Sequence, residues 1–230
     1  MKKYTIFHGD DLDSYLLYVF FGVILGGRLG YVILYNPSYY IANIDEIIAI
    51  WKGGMSFHGG CIGVILATFI FSIKKKYNFW NIIDTLAVII PIALGLGRIG
   101  NYINGELPGF TPYEGYFPII KEGVHYFPSP LLEMFLEGVL LFVILFFFWK
   151  VLQKYSKNTN TRGILSAIFL IGYSIARLIS EQFRLPDEHV GYLFSSSWIT
   201  LGMLYTIPML SVGILILGIR YRDFKNHKHK

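Results

Sequence analysis

Long apolar runs separated by short polar clusters set the architecture of this chain. From Val190 to Ile219 there are 30 consecutive residues without Asp, Glu, Lys or Arg. A hydrocarbon core is crossed by about 20 mostly apolar residues in helix, so that run alone is long enough. The same pattern repeats, and six spans are expected: about 15–35, interrupted by Arg28, then 57–73, 82–97 with Pro91 inside it, 130–149, 163–181 and 198–219. Turn signals such as Asn36-Pro37 fall between them. A polar segment rich in Gly and Pro, 101–127, forms one long loop. The predicted fold is an all-α polytopic membrane helix bundle, with residues 1–230 as a single integral membrane domain and no soluble domain or internal repeat.

Composition agrees with the pattern. The 230 residues are 54% hydrophobic, 17% aromatic and only 15% charged, against about 25% charged in soluble domains. The net charge of +5 does not point to nucleic acid, because the basic residues do not form one interleaved basic groove. They sit in clusters between spans: Lys74-Lys75-Lys76, Lys150 to Arg162, and Arg220 to Lys230. Counted by side, 14 Lys and Arg residues fall on the faces shared with the two termini, and only Lys52, Arg98, Lys121 and Arg184 fall on the other. Basic loops stay in the cytoplasm, which places both termini there and the 101–127 loop outside. Asp and Lys residues crowd the first 13 positions, so no cleavable signal peptide is expected.

The candidate chemistry gathers at the outward ends of the spans. His58 opens the second, inside Gly53-Gly54-Met55-Ser56-Phe57-His58-Gly59-Gly60. Arg98, Asn101, Asn104 and Glu106 lie where the third ends, and Arg177, Glu181 and Arg184 where the fifth ends. Arg98 and Asn101 are three apart, Arg177 and Glu181 four apart, so each pair shares a helix face. Ionisable residues in or beside a span are costly to insert and mark functional sites by default. Arginines with asparagine and glycine amides suit a phosphate, and at an outer leaflet the phosphates belong to lipid headgroups. A His or Glu beside them can take a proton from a nucleophile. The residues themselves thus point to an outward-facing lipid-headgroup transferase or hydrolase, with the acceptor open.

Two other motifs are set aside. Gly95-Leu96-Gly97-Arg98-Ile99-Gly100 has the spacing of a dinucleotide fingerprint, but it ends a membrane helix instead of linking a strand to a helix. Cys61, the one cysteine, lies three residues from His58; a small span residue is the simpler reading than a nucleophile. No Cys/His ligand cluster indicates a metal, and no cofactor is expected.

Several motifs in order resemble the prolipoprotein diacylglyceryl transferase family: Gly26-Gly27-Arg28-Leu29-Gly30-Tyr31, Gly54 to Gly60, Gly97-Arg98-Ile99-Gly100-Asn101 with Ile103-Asn104-Gly105-Glu106, and Arg177 to Asp187. The resemblance runs from about residue 12 to 220. It implies transfer of a diacylglyceryl group from phosphatidylglycerol to the lipobox cysteine of a prolipoprotein signal peptide, the first step of lipoprotein maturation, at the bacterial inner membrane. It implies His58 as the base, Arg98 and Arg177 on the phosphate, Asn101, Asn104, Glu106, Gly109 and Arg184 at the headgroup, and Glu181 aligning Arg177 or sharing in proton transfer. The family carries a seventh, N-terminal helix with a Tyr-Gly motif, and this chain starts after it by that alignment. The family's His-Pro-Ser-Gln-Leu-Tyr-Glu segment stands here as Phe127-Pro128-Ser129-Pro130-Leu131-Leu132-Glu133, and a Gln of its last helix as Met203. An inactive lipid-binding relic is the alternative, and a transporter with midplane polar groups is a further one.

Overall fold

A computed structural model describes residues 6–34, 37–155, 161–186 and 198–228. The helices are α1 (Asp11–Leu34), α2 (Pro37–Ala42), α3 (Phe57–Lys75), α4 (Phe79–Ile103), α5 (Ser129–Glu133), α6 (Leu141–Tyr155), α7 (Ile164–Ser180) and α8 (Leu201–Lys228). A π-helical segment, Met134–Leu140, joins α5 to α6 without a break. Among the described residues, five helical stretches are long and apolar enough to cross a membrane: Asp11–Ile33, Phe79–Ile103, Ser129–Lys154, Ile164–Phe183 and Gly202–Asp223. The remaining span expected from the sequence is α3, a helix of 19 residues. The chain is an all-α, multi-pass membrane protein.

The third span is longer than the apolar run that announced it. The helix expected over 82–97 continues to Ile103, so Arg98 and Asn101 sit in its last turns and not beyond its end. Helical hydrogen bonding outlasts apolar character because polar side chains at the interface cost a helix little. The run 198–219 gives way to a helix starting at Leu201 and reaching Lys228. Tyr35, the last residue of the expected first span, and Asp187 of the Arg177–Asp187 motif fall outside the described residues.

The chain forms two compact units, residues 1–83 and 84–230. In the first, α1 and α3 touch backbone to backbone. An added Cβ on Gly30 would lie 2.6 Å from the Cα of Gly59, and one on Gly26 would lie 2.8 Å from the Cα of Gly63. Gly22, Gly26 and Gly30 recur every four residues and line one stripe, the close-approach device of membrane helices. Ser56 starts α3, its Oγ accepting from the Gly59 amide at 3.2 Å, while its own amide donates to Gly27 O at 2.8 Å.

Arg28, the charge inside the first span, is a loop clamp. It is 4% exposed and donates to four carbonyls: Glu46 O at 2.7 Å, Ile47 O at 2.8 Å, Gly53 O at 2.6 Å and Gly54 O at 3.1 Å. The rings of Tyr31 and Tyr40 flank its guanidinium. The loop it gathers carries two short 3-10 turns, Ile44–Glu46 and Ile50–Lys52. Lys52 on that loop and Tyr39 on α2 both donate to the Glu46 carboxylate, which holds its pKa below the ordinary range.

In the second unit, Asp84 on α4 caps α7 from outside it. Its carboxylate accepts from the Gly163 amide at 2.6 Å, the Ser166 amide at 2.9 Å and Ser166 Oγ at 2.6 Å. These are amides at a helix start with no partner in their own helix, and a carboxylate there also suits the helix dipole. Asp84→Ala is expected to cost about 2 kcal/mol, read as a lowered Tm in detergent, with Asp84→Asn recovering part of it. An unchanged Tm would refute the cap. Leu141, Leu145 and Leu165 form the apolar centre of this unit, with Val88, Trp149 and Tyr173 packed against it.

Candidate active site

The site is built on three helices of the second unit. Arg98 comes from the last turns of α4, Glu133 and Glu137 from the α5–π segment, and Arg177 and Glu181 from the end of α7. The two arginines converge on one oxygen. Glu133 Oε2 lies 2.7 Å from Arg98 Nη1 and 3.2 Å from Arg177 Nη1. Glu137 Oε2 accepts from Arg98 Nε at 3.1 Å and Nη2 at 3.0 Å, while its Oε1 stands 3.7 Å from Arg177 Nη1. Arg177 Nη2 pairs with Glu181 Oε1, which also has Arg184 Nη1 at 3.9 Å. Three guanidinium and three carboxylate groups thus make a cluster of zero formal charge. Glu133 and Glu137 are both 0% exposed, whereas the Arg98 and Arg177 side chains keep 15% and 12%. The carboxylates form the sealed back of the cluster, and the arginines its more accessible front.

Glu181 is fixed from a fourth helix. Thr200 Oγ1 donates to Glu181 Oε2 at 2.8 Å and accepts from the Met203 amide at 3.2 Å, so one hydroxyl caps α8 and holds the carboxylate. Gly202 leaves the room: a Cβ there would come within 2.8 Å of Glu181 Cδ and 3.3 Å of Arg177 Nη2. Any larger residue would push the ion pair out of place.

Asn101, Asn104 and Glu106 form a second, exposed network. Glu106 accepts from Asn101 Nδ2 at 2.6 Å and from Asn104 Nδ2 at 3.3 Å, and its amide donates to Asn101 O at 2.8 Å. The chain then turns through Leu107, held at φ 54 while its carbonyl accepts from Ser129 Oγ. Gly109 lies between two backbones. Its amide donates to Phe127 O at 2.8 Å, it bridges to Arg184, and an added Cβ would sit 2.8 Å from the Phe127 ring. Together with the Leu185 amide on Pro108 O at 3.1 Å, this stitches the 101–127 loop to the residue that carries the Arg184 guanidinium. A two-stranded hairpin, β1 (Ile119–Lys121) and β2 (Val124–Tyr126), completes the loop. Its turn residues Glu122 and Gly123 both have positive φ, as a two-residue hairpin turn of matching twist requires.

Of the residues expected from the sequence, the structure joins Arg98, Arg177, Glu181 and Arg184 in one cluster and Asn101, Asn104 and Glu106 in another. His58 lies in the first turn of α3, and its side chain falls outside the described residues. Sequence reading passed over Glu137 and gave Glu133 no role, although a carboxylate inside an apolar run was the available signal. Thr200 and Gly202 carried no signal at all. Among the described residues, no three His, Cys, Asp or Glu side chains gather in a metal-binding group.

A multi-pass helical protein with an arginine–glutamate cluster between its helix ends defines a class: membrane-embedded proteins with a largely buried ionic site. The profile of the prolipoprotein diacylglyceryl transferase family matches residues 1–219. Its similarity to curated relatives is close. A protein of Brucella anthropi is 43% identical over 208 residues, covering 89% of this chain and 72% of that protein. One of Bordetella parapertussis is 43% identical over 206 residues, 88% of this chain and 75% of its own length, and one of Mesorhizobium japonicum 41% identical over 208 residues, with 89% and 71% covered. Each of these relatives is named phosphatidylglycerol–prolipoprotein diacylglyceryl transferase. The chain belongs to the prolipoprotein diacylglyceryl transferase family.

Proposed function

We propose that this chain transfers the diacylglyceryl group of phosphatidylglycerol to the lipobox cysteine of prolipoprotein signal peptides, at the outer face of a bacterial inner membrane. Residues 1–230 then act as one integral membrane domain of six spans, with both termini cytoplasmic and no nucleic-acid partner. The observation that carries this reading is the convergence of Arg98 and Arg177 on a single Glu133 oxygen, at 2.7 and 3.2 Å. Two guanidinium groups held that close concentrate positive charge where a phosphate can be met.

The chemistry follows from the bonds exchanged. The cysteine sulfur attacks the glyceryl CH2 that bears the phosphate ester, the C–O bond to phosphate breaks, and glycerol phosphate leaves with the electron pair. The thiol proton goes to a base. A free thiol has pKa ~8.5, so only a minor fraction is thiolate at neutral pH without one. His58, in the glycine-rich turn that opens α3, is assigned this role by its motif. Arg98 and Arg177 bind the phosphate and meet the charge that grows on it as the C–O bond breaks. Glu181, locked by Thr200, aligns Arg177. Asn101, Asn104 and Glu106 at the exposed end of α4, and Gly109 and Arg184 beyond it, contact the glycerol headgroup.

The test is transfer by purified protein in phosphatidylglycerol vesicles, read as the mass gained by a lipobox peptide. Lipidation that disappears when the peptide cysteine becomes serine supports the proposal. No mass gain on the cysteine peptide refutes it. His58→Ala is expected to lower transfer by about 10²–10⁴ while leaving membrane insertion and Tm unchanged. Wild-type transfer in that variant removes His58 as the base.

A further inference from the structure

Glu133, Glu137, Leu141 and Leu145 stand four residues apart and are 0, 0, 2 and 0% exposed. In a straight α-helix a four-residue step overshoots the full turn by about 40°, so four such positions drift by about 120°. They stay on one buried face because Met134–Leu140 is π-helical, and its wider turn cancels the drift. Single π turns inside helices concentrate at functional sites. This one sets two carboxylates, one above the other, against Arg98 and Arg177.

The consequence is electrostatic. Without Glu133 and Glu137, Arg98, Arg177 and Arg184 would face phosphate with Glu181 as their one partner in the cluster. Such a site would bind anions tightly, and it would bind a phosphate monoester more tightly than a diester, since the monoester carries more charge. In the proposed reaction the diester is the substrate and the monoester, glycerol phosphate, is the product. Glu133 Oε1 and Glu137 Oε1 are buried without a hydrogen-bond donor among the described residues, and Glu137 Oε1 has only the longer approach of Arg177 Nη1 at 3.7 Å. The two carboxylates thus set their negative charge directly behind the arginine front.

We propose that Glu133 and Glu137, held in register by the π turn, are positioning residues that both fix Arg98 and Arg177 for the phosphate and limit their affinity for the doubly charged product, so that glycerol phosphate is released. This rests on the transferase reading given above, which names the product.

The test is calorimetric binding of glycerol phosphate to the purified protein in detergent, which needs no turnover, alongside transfer kinetics. Glu137→Gln is expected to bind glycerol phosphate about tenfold more tightly than wild type, with kcat lowered and KM for phosphatidylglycerol unchanged or lower. Glu137→Asp, which keeps the charge, is expected to restore the wild-type affinity for the product. Unchanged or weaker product binding in Glu137→Gln overturns the proposal, because a residue serving only to stabilise the fold would loosen the site. Should Glu137→Gln fail to fold, the wild type still decides: glycerol phosphate is expected to inhibit with a constant above KM for phosphatidylglycerol, and one far below KM overturns the proposal. Absence of transfer by the wild type would instead refute the transferase reading, while the binding comparison would still report on the two glutamates.

Discussion

Arg177→Lys is expected to lower kcat/KM for peptide lipidation by about 10²–10³ without unfolding the protein. Arg177 spans the cluster, with Nη1 towards Glu133 and Glu137 and Nη2 on Glu181. Only a planar fork reaches in both directions. A lysine keeps the charge, so the buried carboxylates retain a counter-ion, but its compact ammonium cannot hold Glu133 and Glu181 at once and still face a phosphate. Arg177→Gln is the harsher change. It leaves the cluster with three carboxylates and two guanidinium groups, and breaking a buried pair in this way costs about 3–5 kcal/mol. The two variants together separate positioning from charge: the lysine variant is expected to keep its Tm and lose activity, the glutamine variant to lose both. An Arg177→Lys protein within tenfold of wild-type transfer would show that the fork is not used.

The second large effect is expected at Arg28, remote in sequence from that cluster. Arg28→Met should make the 43–54 loop at least tenfold more sensitive to limited proteolysis and lower Tm by several degrees. Four carbonyls converge on this one guanidinium, from Glu46, Ile47, Gly53 and Gly54. Each buried carbonyl left without a donor costs about 1–3 kcal/mol. Arg28→Lys is expected to fall between, since an ammonium offers three donors where the guanidinium offers five. Cleavage of the loop at the wild-type rate in Arg28→Met would refute the clamp. Gly53 and Gly54 lead directly into the turn that carries His58, so the proteolysis and the transfer assay should move together in this series.

Arg28 also shows the limit of reading a charge from its place in a span. In the sequence it is an ionisable residue inside an apolar run, a feature that suits a transport site as well as an enzyme. The structure gives it to backbone carbonyls of its own loop, a structural use that depends on where residues 46–54 fold back. No local pattern encodes that return. Glu137 is the opposite case. Its signal was present, a carboxylate in an otherwise apolar stretch, yet spacing alone gave it no partner. The π turn that aligns it with Glu133 is a departure from the 3.6-residue period on which face assignments rest.

What the sequence determined by itself was the class of molecule and the residues that matter most. Charge-free runs of membrane length, basic clusters confined to alternate loops, and Arg98, Arg177, Glu181 and Arg184 near helix ends are all properties of neighbouring residues, and short-range periodicity reports them directly. The tertiary structure decided which charges meet. Arg98 and Glu137 are 39 residues apart, Arg177 and Glu133 44, and Asp84 and Ser166 82. Such pairs form only when helices pack, because the attraction between two charges becomes strong enough to fix a partner only after packing has removed them from water.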